Sequence, residues 1–169
     1  MSGREPEAEK LLCVMAGYDG ETERRVEALR QNLVEAGYVG RQTPNIPHHI
    51  TLGSFAPSEE ERAEALVRKA AAEFRPFPVT FNHIGVFGGS QVLFLAPDPN
   101  RELLALKEAF GDSWNWTPHT TLLIDEPVRL FQAAPLAAGS FQAFGGRVET
   151  LLFYEFWPAR PIGVFPLRK

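Results

Sequence analysis

Pro47-His48-His49-Ile50-Thr51-Leu52 and Pro118-His119-Thr120-Thr121-Leu122 are the two stretches whose reading decides the fold. Each holds His-x-Thr-Leu shortly after a proline, in a run of strand character. Residues two apart in a strand share a face. Each stretch therefore offers one imidazole and one hydroxyl, His49 with Thr51 and His119 with Thr121, to a common surface. On the same count Gly53 and Leu123 continue that face. Ile50, Leu52, Leu122 and Ile124 point to the other side, where helices can cover them. Four His and eight Thr in 169 residues give roughly 0.2 such triplets by chance. Two, each in an equivalent place in its half of the chain, are a signal.

Working outward, Leu11 to Ala16 reads as a buried strand. Asp19-Gly20 turns the chain into a helix whose apolar positions are Val26, Leu29, Leu33 and Ala36, ended by Gly37. After the strand His49 to Phe55, Ser58-Glu59-Glu60-Glu61 reads as a capping box. It opens a helix carrying Ala63, Leu66, Val67, Ala70 and Phe74, stopped by Pro76. Phe77, Val79 and Phe81 alternate as a strand. The order then repeats: strand Val92 to Ala96, an Asp98-Pro99 helix start, a helix through Leu103, Leu106 and Phe110, strand His119 to Ile124, helix Val128 to Ala138, and strands Val148 to Phe156 and Ile162 to Leu167. The expectation is one α+β domain over 1–169, with pseudo-repeat halves at about 1–90 and 91–169.

Composition narrows the partners. The net charge is −4, and non-specific binding of long nucleic acid rests on many Lys and Arg contacts to phosphate. Long duplex nucleic acid is therefore not expected; a small phosphorylated ligand or one RNA end needs only a local pocket. The single cysteine, Cys13, cannot pair within the chain and reads as a buried, inert thiol. No apolar run approaches the ~20 residues of a membrane span. The polar Met1 to Lys10 stretch does not resemble a signal peptide. The expectation is a cytoplasmic monomer that needs no cofactor and no metal.

The paired strands suit one chemistry. In-line displacement at a phosphodiester needs a base for the nucleophile and an acid for the leaving oxygen, and two histidines can fill both roles near neutral pH. Threonine hydroxyls suit the non-bridging oxygens. Two His-x-Thr motifs seventy residues apart resemble the two-histidine (2H) phosphoesterase superfamily, in its 2′-5′ RNA ligase-like and cyclic phosphodiesterase branch. The resemblance extends to Leu11–Ala36, Phe81–Phe87 and the approach Trp114-Asn115-Trp116-Thr117-Pro118. It implies a bilobal α+β fold, two small antiparallel sheets facing a central cleft with helices outside. It implies hydrolysis of 2′,3′-cyclic phosphates of nucleotides or RNA ends to monoesters, with His119 as base and His49 as acid. The chain departs from the pattern in its doubled His48-His49 and in the segment Gly40 to Ile46, where only Arg41 is basic.

Tyr18, Trp116 and Phe87 are candidates to stack on a nucleobase, and Arg41 to offset phosphate charge; each is also at home as an ordinary core or surface residue. His48 and His83 read as structural, His83 as a half-buried, satisfied histidine. The alternatives are 2′-5′ RNA ligation at the same site, a nucleotide-binding module without turnover, and a metal hydrolase built on His48, His49, His119 and Asp125. The last leaves the threonines without a purpose.

Overall fold

The computed structural model describes residues 9–169; the expectation for the stretch before Glu9 lies outside the described residues. In chain order the elements are β1 (Leu11–Tyr18), α1 (Gly20–Glu35), β2 (His49–Phe55), α2 (Glu60–Glu73), β3 (Phe77–Phe87), β4 (Val92–Pro97), α3 (Arg101–Glu108), β5 (Thr120–Ile124), α4 (Pro127–Ser140), β6 (Phe144–Phe156) and β7 (Arg160–Pro166). The strand–helix order expected from the sequence is therefore present twice. No helix among the described residues is long and apolar enough to cross a membrane.

Local chemistry sets the helix starts. The Asp19 carboxylate accepts from Thr22 N at 2.9 Å and caps α1. The expected box at Ser58 falls earlier: Glu59 reaches back to Ala56 N at 3.1 Å across a 3-10 turn at Pro57–Glu59. The cap of α3 is Asn100, whose side chain accepts from Leu103 N at 2.8 Å. Asp98 is instead drawn to His83, 3.6 Å away. His83 is correspondingly exposed, not half-buried.

All pairings are antiparallel and run β2-β1-β6-β3-β4-β5, with β7 added on β6. The two expected sheets are thus the two ends of one ladder, joined where Val148 of β6 pairs with both Tyr18 and Phe77. The order reads the same from either end once β1, β2 and β3 are exchanged for β4, β5 and β6.

One face of the ladder carries the main core. Leu12, Val14, Ala16, Ile50, Leu93, Leu95 and Phe153 lie there under residues from all four helices, such as Leu33, Val67, Leu103 and Leu130. The other face is not covered by helices in this way. It holds two small apolar clusters, Met15 with Leu152, Tyr154 and Phe156 at one end, and Val92 with Phe94 and Ala96 at the other.

Candidate active site

The two histidine strands, β2 and β5, are the end strands of the ladder, yet they lie in contact. The sheet therefore curls until its ends meet, and three cross-links fix the closure. The Trp116 indole N–H, in the approach to β5, donates to the Thr51 carbonyl of β2 at 3.3 Å. Arg41 N donates to Ile124 O at 2.8 Å, and Ile124 N donates to the Gln42 side chain at 3.1 Å. So the segment leading into each motif is docked on the strand of the other, and the backbone groups of Ile124 on the outer edge of β5 find partners. Gly40, at φ +76°, makes this possible, because a Cβ there would fall 2.6 Å from Leu123 Cδ1. On the core side the Tyr18 hydroxyl and Thr120 Oγ1 are 2.5 Å apart.

Both strands carry a β-bulge at the same place in the motif. Val14 pairs with Gly53 and Met15 with Thr51, so Leu52 is the extra residue; Leu93 pairs with Leu123 and Phe94 with Thr121, so Leu122 is. A bulge reverses the alternation beyond it. This corrects the sequence reading at Gly53 in β2 and at Leu123 and Ile124 in β5. Gly53 turns to the core side, where a Cβ would lie 3.0 Å from Phe110 O, and Leu123 is fully buried in the main core. Ile124 turns the other way, onto the face of Thr121, and Ser54 follows in β2.

His49 and His119 are held alike. His49 Nδ1 lies 2.7 Å from Pro47 O, and His119 Nδ1 lies 2.9 Å from Thr117 O. A carbonyl only accepts, so each Nδ1 carries the proton and each Nε2 is left able to give or accept one. Both rings are half-buried. The His119 ring meets Phe87 and Phe94 edge-on at 4.9 and 5.6 Å, and those two rings stack at 4.3 Å. Burial lowers the pKa of His49, the Pro47 carbonyl opposes this, and the charges of His48 and His119 lower it further. Thr51 and Thr121 are half-buried on the same face and share a cavity wall with His49.

The other candidates separate. Phe87 is at the site, against His119. Tyr18 is not: it is 8% exposed, edge-on to Phe81 in the main core. Burial pushes its phenol pKa well up, and it is unavailable for stacking. Trp116 packs against the core with its N–H committed to Thr51 and Lys107 over its ring; it joins the motifs. Arg41 is turned to Gln91, 2.7 Å away, and is not on the cavity wall. Cys13 is half-buried on the cavity wall rather than in the core; burial raises its thiol to about 11, so it stays protonated. His48 turns to α1, with Nε2 2.6 Å from Glu27 and its backbone N–H on Glu23 at 2.9 Å. Asp125 lies 3.6 Å from Arg129, and among the described residues no three His, Cys, Asp or Glu side chains are grouped so as to hold a metal ion, which leaves the metal-hydrolase alternative without a ligand set.

Residues the sequence reading passed over are Phe94, which walls His119, Thr120, which ties Tyr18, and Trp157, on the cavity wall with its N–H 2.9 Å from the Thr43 hydroxyl. The polar handle of each aromatic, which must find a partner when buried, was the available signal for Tyr18 and Trp116.

A curled antiparallel sheet with two imidazoles at its meeting ends defines the class as a two-histidine (2H) phosphoesterase. A family model described as the 2′-5′ RNA ligase superfamily matches residues 18–155, and the chain belongs to that superfamily. The apo structure of LigT from E. coli is similar over 95% of this chain and 98% of its own, at 18% identity and a TM-score of 0.63. The same protein complexed with 3′-AMP covers 95% and 99%, at 18% identity and a TM-score of 0.60. TT0787 of Thermus thermophilus covers 94% and 98%, at 17% identity and a TM-score of 0.64. These are likenesses of fold. No curated protein matches.

Proposed function

We propose that the protein is a phosphodiesterase that opens 2′,3′-cyclic phosphates of nucleotides or RNA ends to monoesters, without a metal. The observation that carries this is the matched anchoring of His49 and His119, each with Nδ1 on the carbonyl two residues before it and Nε2 free. His119 Nε2 takes a proton from water as the oxygen–phosphorus bond forms. The ribose oxygen–phosphorus bond breaks, and His49 Nε2–H gives its proton to the departing oxygen. The pair then returns to its starting state by proton exchange with solvent. Thr51 and Thr121 donate to the non-bridging oxygens, where charge and geometry change in the transition state. Phe87 and Phe94 hold the His119 ring and keep water-exposed rotamers from competing.

Bringing a phosphate anion against His49 opposes the influences that lower its pKa, so the acid gains its proton as substrate binds. Ligation to a 2′-5′ bond is the reverse type of reaction at the same atoms, with a second RNA end in place of water. Hydrolysis is favoured here because Arg41, in the approach to β2, is spent on Gln91 and Arg30, on the cavity wall, is paired with Glu27 at 3.1 Å, which leaves little to hold a second phosphate chain. The test is incubation with 2′,3′-cyclic nucleotides in excess EDTA. A single phosphomonoester product is expected; no turnover by folded protein, or turnover abolished by the chelator, contradicts the reading.

A further inference from the structure

His49 and His119 are anchored alike, yet the peptide groups that anchor them differ. The Pro47 carbonyl, which accepts from His49 Nδ1 at 2.7 Å, shares its peptide unit with the His48 N–H. That N–H donates to Glu23 Oε1 at 2.9 Å. A carboxylate, one peptide group and an imidazole therefore stand in a single hydrogen-bonded chain. The Thr117 carbonyl, which accepts from His119 Nδ1, belongs to the peptide bond to Pro118. Proline has no N–H, so no such chain forms at His119.

A negative charge at the N–H end of a peptide leaves more negative charge on its carbonyl oxygen, and bonds in such a chain strengthen one another. A stronger acceptor for Nδ1–H favours the charged, doubly protonated ring over the neutral one. Glu23 is half-buried in the first turn of α1, where a helix favours negative charge. The other titratable or charged side chains on the cavity wall beside His49 are Cys13 of β1, Glu27 and Arg30 of α1, and His48. Glu27 is paired with Arg30 at 3.1 Å and with His48 Nε2 at 2.6 Å, and the Cys13 thiol stays protonated. The charges of His48 and of His119, across from β5, disfavour a charged His49. Glu23 is the carboxylate that remains to favour it.

We propose that Glu23 is a positioning residue for the reaction: through the Pro47–His48 peptide it fixes the His49 ring and keeps the Nε2 proton there until the leaving oxygen takes it. No proton passes along the chain; the peptide carries polarisation alone. The inference rests on the two-histidine chemistry proposed above and gives that pair its asymmetry. The imidazole of β2 is built to hold a proton, and that of β5, set on a prolyl bond, to start without one.

The test is NMR titration of the His49 ring in the full chain, in the parent and in Glu23→Gln, which keeps an oxygen for the His48 N–H and removes the charge. The His49 midpoint is expected to fall by about half a pH unit or more in the variant. Turnover of a 2′,3′-cyclic nucleotide should fall by the matching factor, about threefold or more, at pH above the midpoints of both rings. The loss should shrink toward acid pH, where His49 is protonated in either chain. A loss of the same size at every pH is what a displaced ring gives, and it would overturn the proposal, as would an unmoved His49 midpoint. The peptide's part is read from His48→Ala and His48→Pro, which both lack the imidazole while only the second lacks the N–H. His49 should titrate lower in His48→Pro than in His48→Ala, and adding Glu23→Gln to His48→Pro should move it no further. A further fall there would mean that the carboxylate acts directly through space, and would overturn the relay. The titrations need no turnover, so a chain that opens no cyclic phosphate loses the reaction proposed above and still decides on Glu23.

Discussion

At His49 three influences act on one imidazole. Burial disfavours its charged form, the Pro47 carbonyl favours it, and the charges of His48 and His119 disfavour it again. The balance puts its pKa below the ordinary 6.5. An NMR titration of the free protein should find the His49 ring titrating below that value and moving upward when a nucleoside monophosphate is added. His48→Asn removes one neighbouring charge and should raise the free value as well. A ring that titrates at 6.5 or above in the free protein would contradict the electrostatic account. That His49 shares a face with Thr51, and His119 with Thr121, was legible because a two-residue spacing sets a strand face wherever no bulge intervenes. Tyr18 and Trp116 were misread because an aromatic at an element end looks the same whether its polar atom meets a ligand or, as here, Thr120 and the Thr51 carbonyl.

At the scale of elements, the bulges at Leu52 and Leu122 decide what each strand presents. Alternation predicted Gly53 and Leu123 on the cleft face; one extra residue in each ladder sends both to the core and brings Ile124 to the cleft. A bulge depends on the partner strand's register, so a strand's own sequence does not announce it. The helices were legible from their apolar spacing, while their caps moved by two residues because Glu59 and Asn100 found better backbone partners than Ser58 and Asp98. The bond between Tyr18 and Thr120 ties β1 to β5 on the core side. Tyr18→Phe leaves the Thr120 hydroxyl buried without that partner and should cost about 1–3 kcal/mol in denaturant unfolding. An unchanged midpoint would show that the bond does not hold the curled sheet closed.

For the whole molecule, the exchange symmetry of the strand order supports the proposed halves at about 1–90 and 91–169. Each half contributes one histidine strand to an end of the ladder, and its third strand lies beside the other half's first. The closure was not legible in the sequence, because it rests on contacts between β2, β5 and the segments that lead into them, which lie far apart in the chain. The net charge of −4 bears on partners at this scale. Long duplex RNA should not compete with a 2′,3′-cyclic nucleotide at about 0.15 M salt, where few Lys and Arg contacts leave little affinity; strong competition would mean a basic track that the charge distribution does not suggest. The central claim is that two imidazoles do the chemistry, and the most direct measurement compares cyclic-nucleotide turnover, with EDTA present, in the parent, His49→Ala and His119→Ala. Loss of a general acid or base should lower the rate by roughly 10² to 10⁴ in each variant with its fold intact, whereas turnover unchanged in either would contradict the two-histidine site.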